Sequence, residues 1–98
     1  MTWFATWSFT GPQGPIAGEV ESADLTILRY RVMKKAVRAA RIEGIEREAW
    51  VLINHFLCVD ALSITLAKGE WRKESASGKS WIAVRRRKVN LVKGGKKQ

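Results

Sequence analysis

Hydrophobic and polar positions alternate with period two at the start of the chain. Trp3, Ala5, Trp7 and Phe9 point one way, while Phe4, Thr6, Ser8 and Thr10 point the other, the pattern of a half-buried strand. Gly11-Pro12-Gln13-Gly14-Pro15 interrupts the alternation, because proline and glycine break regular structure and mark a turn. Ile16 to Glu21 is long enough to return as a short second strand.

The period then changes. Ser22 or Asp24 is placed to cap a helix that runs to about Glu43 and stops at Gly44. At 3.6 residues per turn Leu25, Leu28, Val32, Ala36 and Ala39 share one face, and Arg31, Lys34, Lys35, Arg38 and Arg41 share another. Arg29 falls inside the apolar arc and needs to snorkel or to find a carboxylate.

From about Ile45 to Lys68 the pattern reads as one long helix that is apolar nearly all round, with no clean stripe formed by Asn54, His55, Asp60, Ser63 and Thr65. Such a helix is either deeply buried or embedded in a membrane. Its length, about 20 residues, suffices for a bilayer, but Asp60 and His55 near mid-span are costly in lipid, which favours burial in protein. A chain this short has difficulty surrounding such a helix. A homo-oligomer built through Trp50, Ile53, Phe56, Leu57 and Ile64 is the economical solution.

Beyond Gly69, segments 70–75 and 80–92 flank the turn signal Ala76-Ser77-Gly78-Lys79 and read as a hairpin, followed by a basic tail over 94–98. The expected fold is therefore α+β, in the order β(β)ααββ, with a short antiparallel sheet packed on two central helices. Residues 1–93 form one small domain in this reading.

Charge changes the picture most. The 98 residues carry 18 Lys and Arg against 9 Asp and Glu, a formal net charge of +9. The excess sits in two blocks: residues 24–44, where six bases face Asp24 and Glu43, and residues 68–98, where eleven bases face Glu70 and Glu74. Clustered charge of this density attracts polyanions. Lys and Arg neutralise phosphates and release condensed counterions, which supplies most sequence-independent nucleic-acid binding. One phosphate track is expected on the helix, at Arg31, Lys34, Lys35, Arg38 and Arg41. A second is expected on the hairpin, at Lys73, Lys79, Arg85, Arg86, Arg87, Lys88 and Lys93. Of the five tryptophans, Trp3 and Trp7 should pack in the core, and Trp71 and Trp81, beside bases, are the candidates for stacking on unpaired bases. Few residues are placed to read base edges, so low sequence specificity is expected. The competing expectation is a protein-interaction module whose basic surface docks on an acidic protein partner.

Other chemistry is thin. Gly78-Lys79-Ser80 lacks the preceding glycine of a phosphate-binding loop, since Lys73 stands there, and a strand follows it instead of a helix. A helix-turn-helix across Gly44 would place an apolar helix in the major groove, where it has nothing to read with. His55 and Cys58, three apart, are expected inside the apolar helix as a core histidine and an inert thiol, and one His and one Cys do not complete a zinc site. No enzymatic activity, cofactor or metal is expected. The single cysteine excludes an intrachain disulfide and fits a reducing, cytoplasmic setting. The apolar start lacks a basic n-region and a small-residue cleavage site, and reads as mature protein.

Overall fold

A computed structural model describes residues 2–66 and 69–87. The elements run β1 (Thr2–Gly11), β2 (Gly14–Ser22), α1 (Leu25–Ile42), α2 (Glu46–Cys58), α3 (Ala61–Leu66), β3 (Trp71–Glu74) and β4 (Trp81–Arg87). The fold is α+β, with strands at both ends and helices in the middle, as the periodicities implied. The four strands form one antiparallel sheet in the order β2-β1-β4-β3. The expected continuation of the last strand over 88–92, with Lys88, and then Lys93 and the tail at 94–98 lie outside the described residues.

The β1–β2 hairpin turns on Pro12 and Gln13. Proline holds φ near −65° and so excludes the turns that need positive φ at the first loop position. Gly14, at φ 109°, supplies the left-handed residue instead. Pro15, which has no N–H to donate, sits on β2, an edge strand, where prolines are tolerated.

Helix α1 starts where Asp24 accepts a hydrogen bond from the Ile27 backbone N–H at 3.0 Å. It ends in a Schellman motif: Ile45 N–H bonds the Ala40 carbonyl at 2.9 Å and Gly44 N–H bonds that of Arg41 at 3.1 Å, with Gly44 at φ 73°. The reversal lays α1 and α2 side by side on one face of the sheet. Ala5, Trp7, Phe9, Ile82 and Val84 from the strands meet Leu28, Val32, Ala36 and Ala40 of α1 and Ala49, Leu52, Ile53 and Phe56 of α2 in a single core. Each large apolar side chain buried there stabilises the fold by roughly 1.5–3 kcal/mol. The Trp7 ring lies over Gly18 of β2, where a Cβ would stand 2.5 Å from it. No helix among the described residues is long and apolar enough to cross a membrane.

The segment expected as one helix over 45–68 is two. Helix α2 stops at Cys58, and the backbone turns extended at Val59, with φ −72° and ψ 138°. Asp60 then caps α3, accepting from Ser63 N–H at 2.7 Å and Ser63 Oγ at 3.0 Å. These bonds hold the Asp60 carboxyl below its ordinary value. Arg29 of α1 takes up the carbonyls freed at the break. Its guanidinium donates to Phe56 O at 3.1 Å, to Leu57 O and to Val59 O at 2.6 Å, with the Phe56 ring centroid 5.5 Å away. The arginine inside the apolar arc therefore neither snorkels nor meets a carboxylate; it caps a neighbouring helix.

The break also corrects the expected oligomer surface. Ile53, Phe56 and Ile64 are buried within the single chain, in its own core, while Trp50 and Leu57 are half-buried against that core. Once cut at Cys58, α2 has a clean inner face at Ala49, Leu52, Ile53 and Phe56 and an outer face at Arg47, Glu48, Val51, Asn54, His55 and Cys58. The sheet covers what a second copy was invoked to cover. His55 and Cys58, expected as core residues, are exposed for the same reason.

Candidate nucleic-acid interface

Both helices pack on one face of the sheet, and no described element covers the other. Strand parity decides which side each residue takes. Trp3, Ala5 and Trp7 on β1 pair with Arg86, Val84 and Ile82 on β4, Phe9 shares their parity and pairs with Ile16 on β2, and Val84 and Ile82 pair in turn with Trp71 and Lys73 on β3. These form the covered face. Phe4, Thr6 and Ser8, with Arg85, Ala83 and Trp81, and then Arg72 and Glu74, form the open one. Ala83 is 2% exposed yet lies outside the core cluster, because its neighbours on the open face cover it.

The two stacking candidates are thereby separated. Trp71 is half-buried on the covered face, its ring 6.1 Å from that of Phe56, so it belongs to the core. Trp81 lies on the open face, with the Arg72 guanidinium 4.3 Å from its ring centroid. A second arginine–aromatic pair stands at the far end of the same face, where Arg87 lies 4.8 Å from the Phe4 ring centroid. Neither Phe4 nor Arg72 was among the expected site residues; their parity, shared with Ser8 and Glu74, was the available signal.

Directly opposite Phe4 on β4 sits Arg85, half-buried. Its Nε is buried without an acceptor among the described residues, and the nearest carboxylate, Glu19, is 4.0 Å away. Arg72 is held more firmly, by Glu74 at 2.9 Å and Glu70 at 3.9 Å. Arg86 points to the covered side at the end of the sheet, 5.3 Å from the Trp3 ring centroid. Arg86 and Arg87 form no ion pair among the described residues. Lys73 is half-buried on the covered side. Lys79 lies in the β3–β4 loop, where its carbonyl accepts from Thr10 Oγ1 at 2.7 Å and Ser80 Oγ accepts from Thr10 N–H at 3.0 Å, tying the loop to β1.

The helical track is less uniform than its spacing implied. Arg31 donates to the Glu21 carbonyl at 2.6 Å and Lys35 to the Glu19 carbonyl at 3.3 Å. Those carbonyls belong to edge strand β2, so two of the five cations blunt a sheet edge that otherwise invites strand pairing. Arg41 forms a two-point pair with Glu46, at 3.1 and 2.7 Å. Hydrogen bonding from Arg41 holds the Glu46 carboxyl below the usual carboxylate range, so the pair is charged on both sides at neutral pH. Lys34 and Arg38 remain without an ion pair among the described residues. They border two shallow, open depressions of about 430 and 410 Å3, one floored by Ala39 and Ile42, the other by Val37 and Trp50.

No family model matches the chain, and no curated protein or solved structure matches it either. The functional reading therefore rests on the geometry. Among the described residues no group of His, Cys, Asp and Glu is arranged to hold a metal ion.

Proposed function

We propose that the protein binds nucleic acid with little sequence preference and without catalysing a reaction. The observation that carries this reading is a group of exposed cations that form no ion pair among the described residues, Lys34 and Arg38 on α1 and Arg86 and Arg87 at the end of β4, together with Arg85, whose carboxylate neighbour Glu19 is 4.0 Å away. A formal net charge of +9 attracts a polyanion at long range, and exposed cations release its counterions on contact. Arg85, Arg86 and Arg87 make the main phosphate contacts, and Lys34 and Arg38 a secondary set.

The test is fluorescence anisotropy of labelled oligonucleotides over a range of salt. Binding should weaken steeply as salt rises. The Arg85/Arg86/Arg87→Ala variant should lose about a hundredfold in affinity, with the log–log salt slope lowered by up to about three, roughly one per lost phosphate contact. Absence of binding, or binding indifferent to salt, contradicts the reading.

One observation favours a second reading, docking on an acidic protein. The outer side of α1 carries exposed apolar residues among its bases: Ile27, Tyr30 and Ile42 are 45%, 57% and 75% exposed. Apolar anchors ringed by cations suit a protein surface as well as a phosphate backbone. A complex that survives nuclease treatment and is lost on Tyr30→Ala, but not on Arg87→Ala, decides for that partner.

A further inference from the structure

We propose that the nucleic acid is single-stranded and lies across the open face of the sheet, its unpaired bases stacking on Trp81 and Phe4. This inference rests on the nucleic-acid reading and narrows it. A duplex offers this protein phosphates only, for which exposed cations suffice. Aromatic rings on an uncovered sheet add something that only unpaired bases use, because the flat faces of paired bases are hidden inside the stack.

The geometry fits splayed bases. Trp81 stands opposite Ser8 on β1, four residues from Phe4. At a strand rise near 3.4 Å the two rings are roughly 14 Å apart along the strand direction. That is about four times the 3.4 Å spacing of stacked bases along one strand. The rings therefore take separate bases from a segment several nucleotides long, with Arg85, opposite Phe4 on β4, placed beside one ring to meet a phosphate.

Each ring now carries a guanidinium, at 4.3 Å for Arg72 over Trp81 and 4.8 Å for Arg87 over Phe4. An exposed cation–π contact is weaker than a base stacked on an aromatic ring, so the base displaces the cation. Arg87, which has no carboxylate partner among the described residues, can swing from the ring to a phosphate. Arg72, anchored by Glu74 and Glu70, stays beside Trp81 as a fixed positive rim.

Charge on the same face sets the path. Glu19 and Glu21 stand on the β2 side of the open face; on the β4–β3 side Arg72, Arg85 and Arg87 outnumber Glu74, which Arg72 pairs at 2.9 Å. The acidic half repels a polyanion and confines the strand to β4 and β3 and to the start of β1, where both rings are. On the covered face Trp7 and Phe9 are closed off by the helices, and Trp3, with Arg86 5.3 Å from its ring centroid, packs against the core.

The test compares an unstructured oligothymidylate with a mixed-sequence duplex, each about 12 nucleotides long, at one salt concentration. The single strand should bind about tenfold more tightly or better and should quench tryptophan fluorescence. Trp81→Ala and Phe4→Ala should each weaken single-strand binding by about five- to a hundredfold while leaving duplex affinity in place. Trp81→Phe keeps a ring and the fold, so it should retain most of the affinity and lose most of the quenching; that variant decides the matter if Trp81→Ala does not fold. Equal binding of both oligonucleotides, unchanged by Trp81→Ala and Phe4→Ala, overturns the single-strand inference and leaves nucleic-acid binding standing. Binding of neither overturns both. A dimer in solution that Trp81→Ala dissociates, with oligonucleotide affinity unchanged, shows that the open face meets a second copy and also overturns the inference.

Discussion

The two faces of one sheet use the same residue types for opposite ends. On the covered face Trp7 and Phe9 are closed in a common core with Phe56 of α2, and Arg29, which lies against the Phe56 ring, spends its donors on three backbone carbonyls. On the open face Trp81 and Phe4 keep one side toward solvent, each under an arginine that rests on a ring. An arginine beside an aromatic ring is structural on one side and available on the other. What separates them is strand parity, one residue of register, because neighbours along a strand point to opposite faces. Changes in the core of the covered side should therefore cost stability and leave binding per folded molecule intact, and changes on the open side should do the reverse.

The largest stability effect is expected at Arg29. Its removal strands the carbonyls of Phe56, Leu57 and Val59 at the break between α2 and α3, and a charged donor serving several acceptors is worth more than a neutral hydrogen bond. Arg29→Ala should destabilise the chain by about 3 kcal/mol. For a domain of this size that lowers Tm by about 12–24 °C. Arg29→Lys, one donor group on a flexible stem, should recover only part of this. If thermal unfolding moves by only a degree or two, the carbonyl cap is not what holds the break.

Gly18 comes next. The Trp7 ring occupies the space a Cβ would need, at 2.5 Å, and a close-packed core has nowhere to move it. Gly18→Ala should cost about 2 kcal/mol through overpacking, although alanine is the better residue for an extended strand on backbone grounds alone. Denaturant titration gives the answer, and a neutral or stabilising result means that the ring slides away. Oligonucleotide affinity of the folded fraction should not change.

How much of this was legible in the sequence follows from the same parity. The alternation at Trp3 to Thr10 showed which side of β1 is core, and Asp24 and Gly44 bounded α1 almost to the residue. The break at Val59–Asp60 was also written, in an aspartate three residues before a serine, but a run of apolar residues on both sides masked it. Reading through that cap merged two helices and smeared the buried stripe of α2 around its circumference. From this followed an oligomer surface at residues that the chain buries itself, and an internal place for His55 and Cys58, which are outside. The cations are a different case. Helical spacing put Arg31, Lys35 and Arg41 on the outside, where they are, but their acceptors at Glu21, Glu19 and Glu46 are set by how α1 crosses β2 and meets α2. Nor did the pattern say that the helices would leave one sheet face bare, which is what makes Phe4 and Arg72 candidates.

The Asp60 cap leaves a signature in pH. Hydrogen bonds from Ser63 lower its carboxyl below the ordinary 3.8 of an aspartic acid. A depressed folded-state value means that the ionised form supports the fold. That support is complete above the unfolded-state value and is lost as pH falls through the folded one. The chain should therefore lose stability on the acid side of about pH 4, and Asp60→Asn, which caps without titrating, should flatten part of that loss. A parallel acid profile in the variant assigns the loss to other carboxyls. Binding at neutral pH should be the same in both, since Asp60 lies in the layer that covers the sheet.

The smallest effect probes the open face, and it is the only change expected to improve binding. Glu19 stands 4.0 Å from Arg85, at the limit of an ion pair, and both side chains are about half exposed. Such a pair adds little to stability. Replacing Glu19 with glutamine keeps the shape, releases Arg85 and removes a negative charge from the acidic half of the face. Stability should stay within about 0.5 kcal/mol of the parent. Single-strand affinity should rise by about two- to threefold at low salt, and the gain should shrink as salt screens the repulsion. If affinity falls instead, Glu19 is holding Arg85 in its productive pose, and the acidic half of the face positions the contact side chain and does not fence the path. If affinity is unchanged, the strand does not pass β4 on this side, and the phosphates must follow the cations of α1.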